Sequence, residues 1–333
     1  MKLDAALAPT TLRDVPAHAA AAEAVGFAAV WTSETRHDPF LPLSLAAEHT
    51  SRIGLGTAVA IGFARSPTVL AHTAWDLASA SGGRFMLGLG TQVQAHIERR
   101  FGMRWPESPV GAMREYIQAL RSVWQAWQSG EKLNYRGRVY RLTLMSPFFN
   151  PGPIETPAIP IYLAGVNRGL IELAGEAAEG LHAHPLQSER YLREIVRPAL
   201  EAGCLRAGRP AGSVQVSASV FTVTGAAEAA FARSQIAFYA STPSYRPVLE
   251  LHGWAEAAER LSGLARRGAW NEMPAQIDDE MLETFAVVAE PGRLASALRA
   301  RFEGMADRVT LSRPFRPGEQ DAVWRSLAEE LSA

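Results

Sequence analysis

Histidine and acidic residues stand at spacings that suggest a metal site. His182 and His184 are two residues apart, which places both imidazoles on one face of a strand, and Glu34, His37 or Asp38 can complete a ligand set. A metal held there would activate water for hydrolysis. The spacing is common, however, and no similar set follows the other apolar runs. Hydrogen-bonding or surface roles are the favoured interpretation, and no metal is expected.

A glycine-bearing turn offers a different chemistry. Residues 165–168, Gly-Val-Asn-Arg, join an apolar run to a helical stretch, and such a turn presents free N–H groups to an anion. The run 84–92 also ends in glycines, but Gly88-Leu-Gly-Thr-Gln-Val lacks the third glycine of a dinucleotide fingerprint. No Gly-x-Ser-x-Gly elbow occurs either. The pattern therefore disfavours a Rossmann domain and a serine nucleophile.

The composition excludes several classes of protein. The chain has 333 residues, 47% of them hydrophobic, and a formal net charge of -1, so it can bury a large core and offers no general field for nucleic acid. Cys204 is the single cysteine, which excludes an internal disulfide. The N-terminus has no signal-peptide or transit features, and no apolar run is long enough for a membrane span. We therefore expect a cytoplasmic protein that binds neither nucleic acid nor membrane.

The candidate residues are positioned by a regular alternation of apolar runs and helical stretches. This alternation implies right-handed crossovers and a parallel sheet. The apolar runs that predict strands lie at 3–7, 27–32, 53–63, 84–92, 159–164, 180–184, 214–224 and 309–311. Eight such strands predict a (β/α)8 TIM barrel, whose active site lies at the C-terminal ends of the strands.

Two long stretches interrupt the alternation. Residues 131–158 contain a hairpin signal and a proline-rich segment, and they predict a surface excursion before strand 5. Residues 226–306 predict a mainly helical insertion between strands 7 and 8, including helices at 247–264 and 294–302. Because no linker composition separates these parts, we expect a single domain over residues 1–333.

Several motifs resemble those of the luciferase-like monooxygenase superfamily. They are Gly82-Gly-Arg-Phe with Gly88-Leu-Gly-Thr-Gln, the third strand Ile53-Gly-Leu-Gly-Thr-Ala-Val-Ala-Ile-Gly with Arg65-Ser-Pro, and Ile159-Pro-Ile-Tyr-Leu-Ala-Gly. The resemblance spans nearly the whole chain and is greatest for the branch that uses the deazaflavin coenzyme F420. It implies a TIM barrel that binds F420 or FMN and that often forms a homodimer.

The resemblance also implies where the cofactor binds. The tricyclic ring would lie against a backbone bulge at the end of the third strand, where related enzymes often have a non-proline cis peptide. The phosphate would lie at the glycine-bearing turn after strand 5, where the helix start favours an anion. The implied cofactor-binding residues are Thr57, Val59, Ala60, Ile61, Gly90, Thr91, Gln92, Ala164, Gly165, Val166, Asn167 and Arg168.

The chain departs from the family pattern after the second strand. Relatives commonly place Asp-His there, whereas this chain has Glu34-Thr35, with His37 two residues on. The resemblance implies an acidic role for Glu34 and a proton donor or acceptor role for His37. The competing interpretation makes both of them solvated loop residues. Four aromatic residues are candidates for the walls around the ring or substrate, and equally for the core: Trp31, Phe63, Tyr116 and Tyr239.

The expected function is that of an F420-dependent oxidoreductase. Such an enzyme transfers a hydride between the deazaflavin and a small organic substrate, while the protein holds the reactive atoms together and supplies a proton path. One alternative is an FMN-dependent monooxygenase on the same fold. Another is a protein that binds the cofactor without catalysis. The sequence carries no motif that specifies the substrate.

Overall fold

Eight parallel strands close into a barrel, as the alternation of apolar runs predicts. The computed structural model describes residues 1–8 and 11–333. Each barrel strand pairs with the next, and β8 pairs with both β7 and β1, which closes the barrel. In chain order the strands are β1 (Lys2–Ala6), β2 (Ala29–Thr32), β3 (Gly54–Thr57), β4 (Phe85–Gly90), β5 (Ile161–Ala164), β6 (Gly180–Ala183), β7 (Gln215–Val223) and β8 (Arg308–Leu311).

Helices surround the barrel. The one that spans Pro109–Ser129 is typical: Ser108 caps its start by accepting a hydrogen bond from the Gly111 N–H, and it ends at Gly130, whose φ is 74°. Its apolar residues recur every three or four positions and are buried against the barrel. The other helices of the repeating units are Val15–Val25, Leu41–Glu48, Pro67–Ala80, Gln94–Arg99, Arg168–Ala177, Glu189–Tyr191 continuing through Leu192–Val196 to Arg197–Arg206, and Asp321–Ser332.

The two predicted interruptions are both present. A hairpin of Tyr135–Arg136 with Arg141–Leu142 precedes β5. Between β7 and β8 lie the helices Ala226–Ala240, Arg246–Glu250, Ala255–Arg266, Asp279–Phe285 and Leu294–Phe302, and the strand Ala286–Val288, which pairs with β7. The expected single helix at 247–264 is wrong, because Gly253 adopts a left-handed φ of 79° and divides it in two.

A buried polar cluster joins β1, β2 and β8. The Arg308 guanidinium donates to both carboxylate oxygens of Asp4, at 2.7 and 2.8 Å, and Trp31 Nε1 donates to the same carboxylate at 2.8 Å. Both charged side chains are almost fully buried. Within the described residues, no helix combines the length and apolarity needed to cross a membrane.

Candidate active site at the barrel mouth

A backbone bulge stands at the end of β3. The peptide bond between Ala58 and Val59 is cis, where the resemblance implies such a bond, and pairing with β4 resumes at Ala60 and Ile61. Thr57 is buried, and its hydroxyl donates to the Gly88 carbonyl at 2.6 Å. Ala58 and Val59 are half-buried, while Ala60 and Ile61 are buried. The bulge thus presents two small side chains at the rim of the barrel.

The glycines of β4 make room for this bulge. A Cβ atom at Gly88 would lie 1.6 Å from the Thr57 carbonyl oxygen, and one at Gly90 would lie 2.8 Å from a methyl group of Val59. Real Cβ atoms do not approach other atoms so closely, so only glycine fits at Gly88 without rearrangement. The motif that ends β4 therefore has a steric role.

Glu34 braces the bulge from the neighbouring strand end. Its carboxylate accepts two hydrogen bonds from the Arg65 guanidinium, both at 2.7 Å, and one from the Ile61 N–H at 2.7 Å. Arg65 also donates to the Ile61 carbonyl at 2.9 Å. The Glu34 side chain is only 8% exposed. Because protein donors occupy both oxygens, the arrangement suits Glu34 to hold the bulge in position.

The other residues of this loop have separate placements. His37 is exposed and makes no hydrogen bond or ion pair with any residue that the structure describes. Asp38 accepts hydrogen bonds from the N–H groups of Phe40 and Leu41, at 2.8 and 3.0 Å, and so caps the following helix. No hydrogen bond or ion pair joins His37 to the bulge.

The residues after β4 lie at the same rim. Thr91 and Gln92 are half-buried, and the Thr91 hydroxyl donates to the Gln92 carbonyl at 3.0 Å. Gln92 has a φ of 61°, one of two positive values among the described non-glycine residues. Side chains rarely adopt this conformation, and residues that do so concentrate at functional sites. The backbone of Gln92 therefore marks this turn as part of the candidate site.

The turn after β5 leads into the helix Arg168–Ala177. Among the described residues, no acceptor pairs with the N–H groups of Arg168 and Gly169, whereas Leu170 and Ile171 both donate to the Asn167 carbonyl. The Tyr191 hydroxyl donates to the Val166 carbonyl at 2.7 Å and fixes the turn. The Arg168 side chain pairs with Glu172 at 2.7 Å and is 69% exposed. An anion here would therefore bind to backbone N–H groups.

The remaining residues that are predicted to bind the cofactor lie in or next to the same turn. Ala164 and Val166 are half-buried and Gly165 is buried, while Asn167 is exposed. The predicted cofactor-binding residues thus fall into three groups, at the ends of β3, β4 and β5. These three strands are consecutive neighbours in the barrel.

His182 of β6 and His184, the residue that follows β6, are neutral rings. Burial, assisted by the Arg308 charge, lowers the pKa of His182 to about 3, and burial lowers the pKa of His184 to about 3. The edge of the His182 ring meets Trp31 with ring centroids 4.7 Å apart. Among the described residues, no group of three or more histidine, cysteine, aspartate or glutamate side chains could hold a metal.

A sequence model of the family described as luciferase-like monooxygenase matches residues 2–308. The chain belongs to this family. An uncharacterised protein of Mycobacterium tuberculosis (strain ATCC 25618 / H37Rv) is 47% identical over 315 residues, which cover 93% of this chain and 92% of the relative. A 5,10-methylenetetrahydromethanopterin reductase of Methanolobus tindarius is 28% identical and covers 92% of each chain.

The luciferase-like fold is also found in solved structures. The coenzyme F420-dependent tetrahydromethanopterin reductase from Methanopyrus kandleri superposes with a TM-score of 0.80, over 99% of this chain and 98% of that chain. The sequence identity in this comparison is 21%, so the likeness concerns the fold. Its architecture agrees with the (β/α)8 barrel described here.

Sequence reasoning missed one side of the barrel mouth of this luciferase-like protein. His184 contacts two tyrosines of the helical insertion: Tyr245 stacks on it with centroids 4.3 Å apart, and Tyr239 meets it edge-on at 4.5 Å. The sequence predicts Tyr239 as a candidate wall residue. No local sequence pattern indicates its contact with His184 or the position of Tyr245. The other aromatic candidates are structural, since Trp31 contacts Asp4, Tyr116 donates to the Arg65 carbonyl, and Phe63 packs on Trp105.

Proposed function

We propose that this luciferase-like protein is an F420-dependent oxidoreductase, which transfers a hydride between the deazaflavin and a carbon atom of a small organic substrate. The observation that carries the proposal is that two features occur together at the barrel mouth. One is a bulge with small side chains at the end of β3, and the other is the pair of free N–H groups at Arg168 and Gly169. A flat ring needs close access to backbone, and a phosphate needs donors. Family membership supports the same conclusion.

The residues at the mouth fit such a cofactor. Ala58, Val59 and Ala164 are small and half-buried, so they leave space for a tricyclic ring. When bound, F420 supplies a ring carbon that donates or accepts the hydride. In this proposal, Glu34 and Arg65 keep the bulge in place behind that ring. Thr91 and Gln92 supply polar contacts, and the proton that accompanies the hydride moves to or from the substrate oxygen.

A titration of the apoprotein tests the cofactor. F420 is expected to bind with micromolar or better affinity, and FMN at least tenfold more weakly, a difference of about 1.4 kcal/mol. Tighter binding of FMN would instead support an FMN-dependent monooxygenase, which the family description also covers. Binding of F420 with no turnover of a panel of small ketones, enones and secondary alcohols would favour a protein that holds the cofactor without catalysis.

Two variants of one residue test the phosphate site. Arg168→Pro removes the N–H at the first position of the helix, where proline is well tolerated, and Asn167 before it has the extended backbone that proline requires. Arg168→Ala removes only the side chain. We expect the proline variant to bind F420 about tenfold more weakly than the alanine variant, because a charge-assisted hydrogen bond is lost. Equal affinities of the two variants for F420 would show that the Arg168 N–H does not bind the phosphate.

His37 is proposed as the proton donor or acceptor, reached by movement of its exposed loop. His37→Ala should slow hydride transfer by about 100-fold, the lower end for general acid–base catalysis, and should leave F420 affinity unchanged. His49→Ala is the matched control, since His49 is also exposed but follows the helix at the opposite end of the barrel. Unaltered turnover in the His37 variant would remove this residue from the mechanism.

We also infer that the protein forms a homodimer, as the resemblance to its family implies. Sedimentation equilibrium at micromolar concentration measures this directly. A mass near 36.1 kDa, that of one chain, would contradict the inference.

A further inference from the structure

We propose that His184, Tyr239 and Tyr245 form the substrate pocket, and that His184 Nε2–H donates a hydrogen bond to a carbonyl or hydroxyl oxygen on an otherwise apolar substrate. We call this set the histidine wall. The inference rests on the proposed function only in identifying the occupant as the substrate.

The position of His184 follows from strand register. His182 pairs with Ala164 of β5 and with Ser217 of β7. β6 ends at Ala183, so His184 is the first residue after the strand and lies at its C-terminal end, at the barrel mouth. Because His182 pairs with Ala164, this position is near the turn that begins at Ala164 and is proposed to bind the cofactor. A substrate that must meet the cofactor ring would reach this wall.

The tautomer of His184 is set by its neighbours. The Leu186 N–H donates to His184 Nδ1 at 3.1 Å, so Nδ1 is an acceptor and the proton of the neutral ring is on Nε2. Burial keeps the pKa of this ring near 3, so it is neutral at physiological pH. Nε2 has no hydrogen-bond partner among the described residues, and it is not one of the fully enclosed unpaired atoms. It is therefore a free donor with a fixed direction.

The rings that contact His184 are aromatic and uncharged. Tyr245 stacks on the ring at an interplanar angle of 24°, Tyr239 meets it at 90°, and Phe221 lies behind Tyr239 with centroids 6.5 Å apart. Burial raises the pKa of Tyr245 to about 12 and raises the pKa of Tyr239, so both hydroxyls stay protonated. Neutral donors among aromatic rings favour a neutral acceptor on an apolar body, because an occupant without an acceptor leaves the His184 donor unpaired.

Two probes of the same shape test this pocket. Cyclohexanone carries an acceptor oxygen, and methylenecyclohexane replaces that oxygen with a carbon. With apoprotein labelled with nitrogen-15 at histidine, we expect cyclohexanone to bind at least fivefold more tightly and to shift the His184 Nε2–H resonance. In His184→Phe, which keeps an aromatic ring and removes the donor, the preference should disappear, whereas His49→Phe should keep it.

Several results would overturn the proposal. They are an unmoved His184 resonance on saturation with cyclohexanone, an unchanged preference in His184→Phe, or binding of neither probe. The resonance is measured on the unaltered chain, so a variant that fails to fold does not prevent the test. A loss of F420 affinity in His184→Phe with the ketone preference intact would assign His184 to the cofactor instead. Because the probes are measured without cofactor, failure of the F420 titration is a separate outcome.

Discussion

Two sides of the barrel mouth differ in how their polar atoms are used. On one side is the braced wall, which we define as Glu34, Arg65 and the bulge 58–61, and there both Glu34 oxygens are satisfied by donors 2.7 Å away. On the other side is the histidine wall, where His184 Nε2 and the two tyrosine hydroxyls make no hydrogen bond with any described residue. One wall is closed to new partners and the other is open to them.

The difference separates positioning from recognition. A polar network whose members are all satisfied is rigid, and losing one member is costly because the rest stay buried. A wall whose donors have no hydrogen-bond partner in the protein contributes little to folding, and its polar groups are available to a ligand. This comparison predicts that substitutions in the braced wall act mainly on stability, whereas those in the histidine wall act mainly on binding.

The largest expected effect is in the braced wall. Arg65→Ala should lower the free energy of unfolding by about 3 kcal/mol, because it leaves the Glu34 carboxylate, which is 8% exposed, without its cation. Arg121→Ala is the matched control: it removes an arginine–glutamate pair of the same 2.7 Å length whose side chains are both 44% exposed. That loss should be below about 1 kcal/mol. Urea unfolding of the three proteins measures both. Equal losses would show that the Arg65–Glu34 ion pair stabilises the protein no more than an exposed ion pair does.

The braced wall was partly visible in the sequence, and the histidine wall was not. Glu34 and Arg65 both fall in motifs next to predicted strands, and the ends of β2 and β3 are neighbours in any barrel of this kind. His184 and Tyr245 are brought together only by the path of the insertion between β7 and β8. Insertions of this kind carry no periodic signal that specifies their contacts. Tertiary packing, which no local pattern encodes, therefore decides this side of the mouth.

The same limits apply to smaller features. The strands were predicted because buried parallel strands are continuous apolar runs, and the helix Leu294–Phe302 has the predicted bounds. The break at Gly253 was missed because glycine is also tolerated inside helices, at a modest cost. The pairing of Arg168 with Glu172 was missed because a short-range ion pair and a ligand contact have the same sequence signature.

An intermediate effect is expected from pH. His182 and His184 have folded pKa values of about 3, whereas unfolded histidine titrates near 6.5. Between these values the unfolded chain binds protons that the folded chain does not. The stability from each neutral ring is therefore complete above pH 6.5 and is lost as the pH falls toward 3. Each histidine should account for a loss of about 2 kcal/mol between pH 7 and 5.

The variant His184→Phe isolates the share of the histidine wall in this pH dependence. Its stability should fall by about 2 kcal/mol less than that of the unaltered protein between pH 7 and 5, as measured by urea unfolding at each pH. Arg65→Ala should change the absolute stability and leave this pH dependence nearly intact. If His184→Phe and the unaltered protein lost the same stability between pH 7 and 5, His184 would be accessible to protons in the folded state.

The smallest effect comes from single hydroxyl groups, and it tests the comparison most directly. The buried Tyr116 hydroxyl donates to the Arg65 carbonyl at 3.1 Å, next to the braced wall, whereas the Tyr245 hydroxyl has no acceptor among the described residues. Tyr116→Phe should therefore cost about 1 kcal/mol of stability, and Tyr245→Phe less than about 0.5 kcal/mol, since each variant keeps its aromatic ring. Paired urea titrations at pH 7 resolve the two values. A larger loss in the Tyr245 variant would mean that its hydroxyl is needed for folding, and the histidine wall would no longer differ from the braced wall in the use of its polar groups.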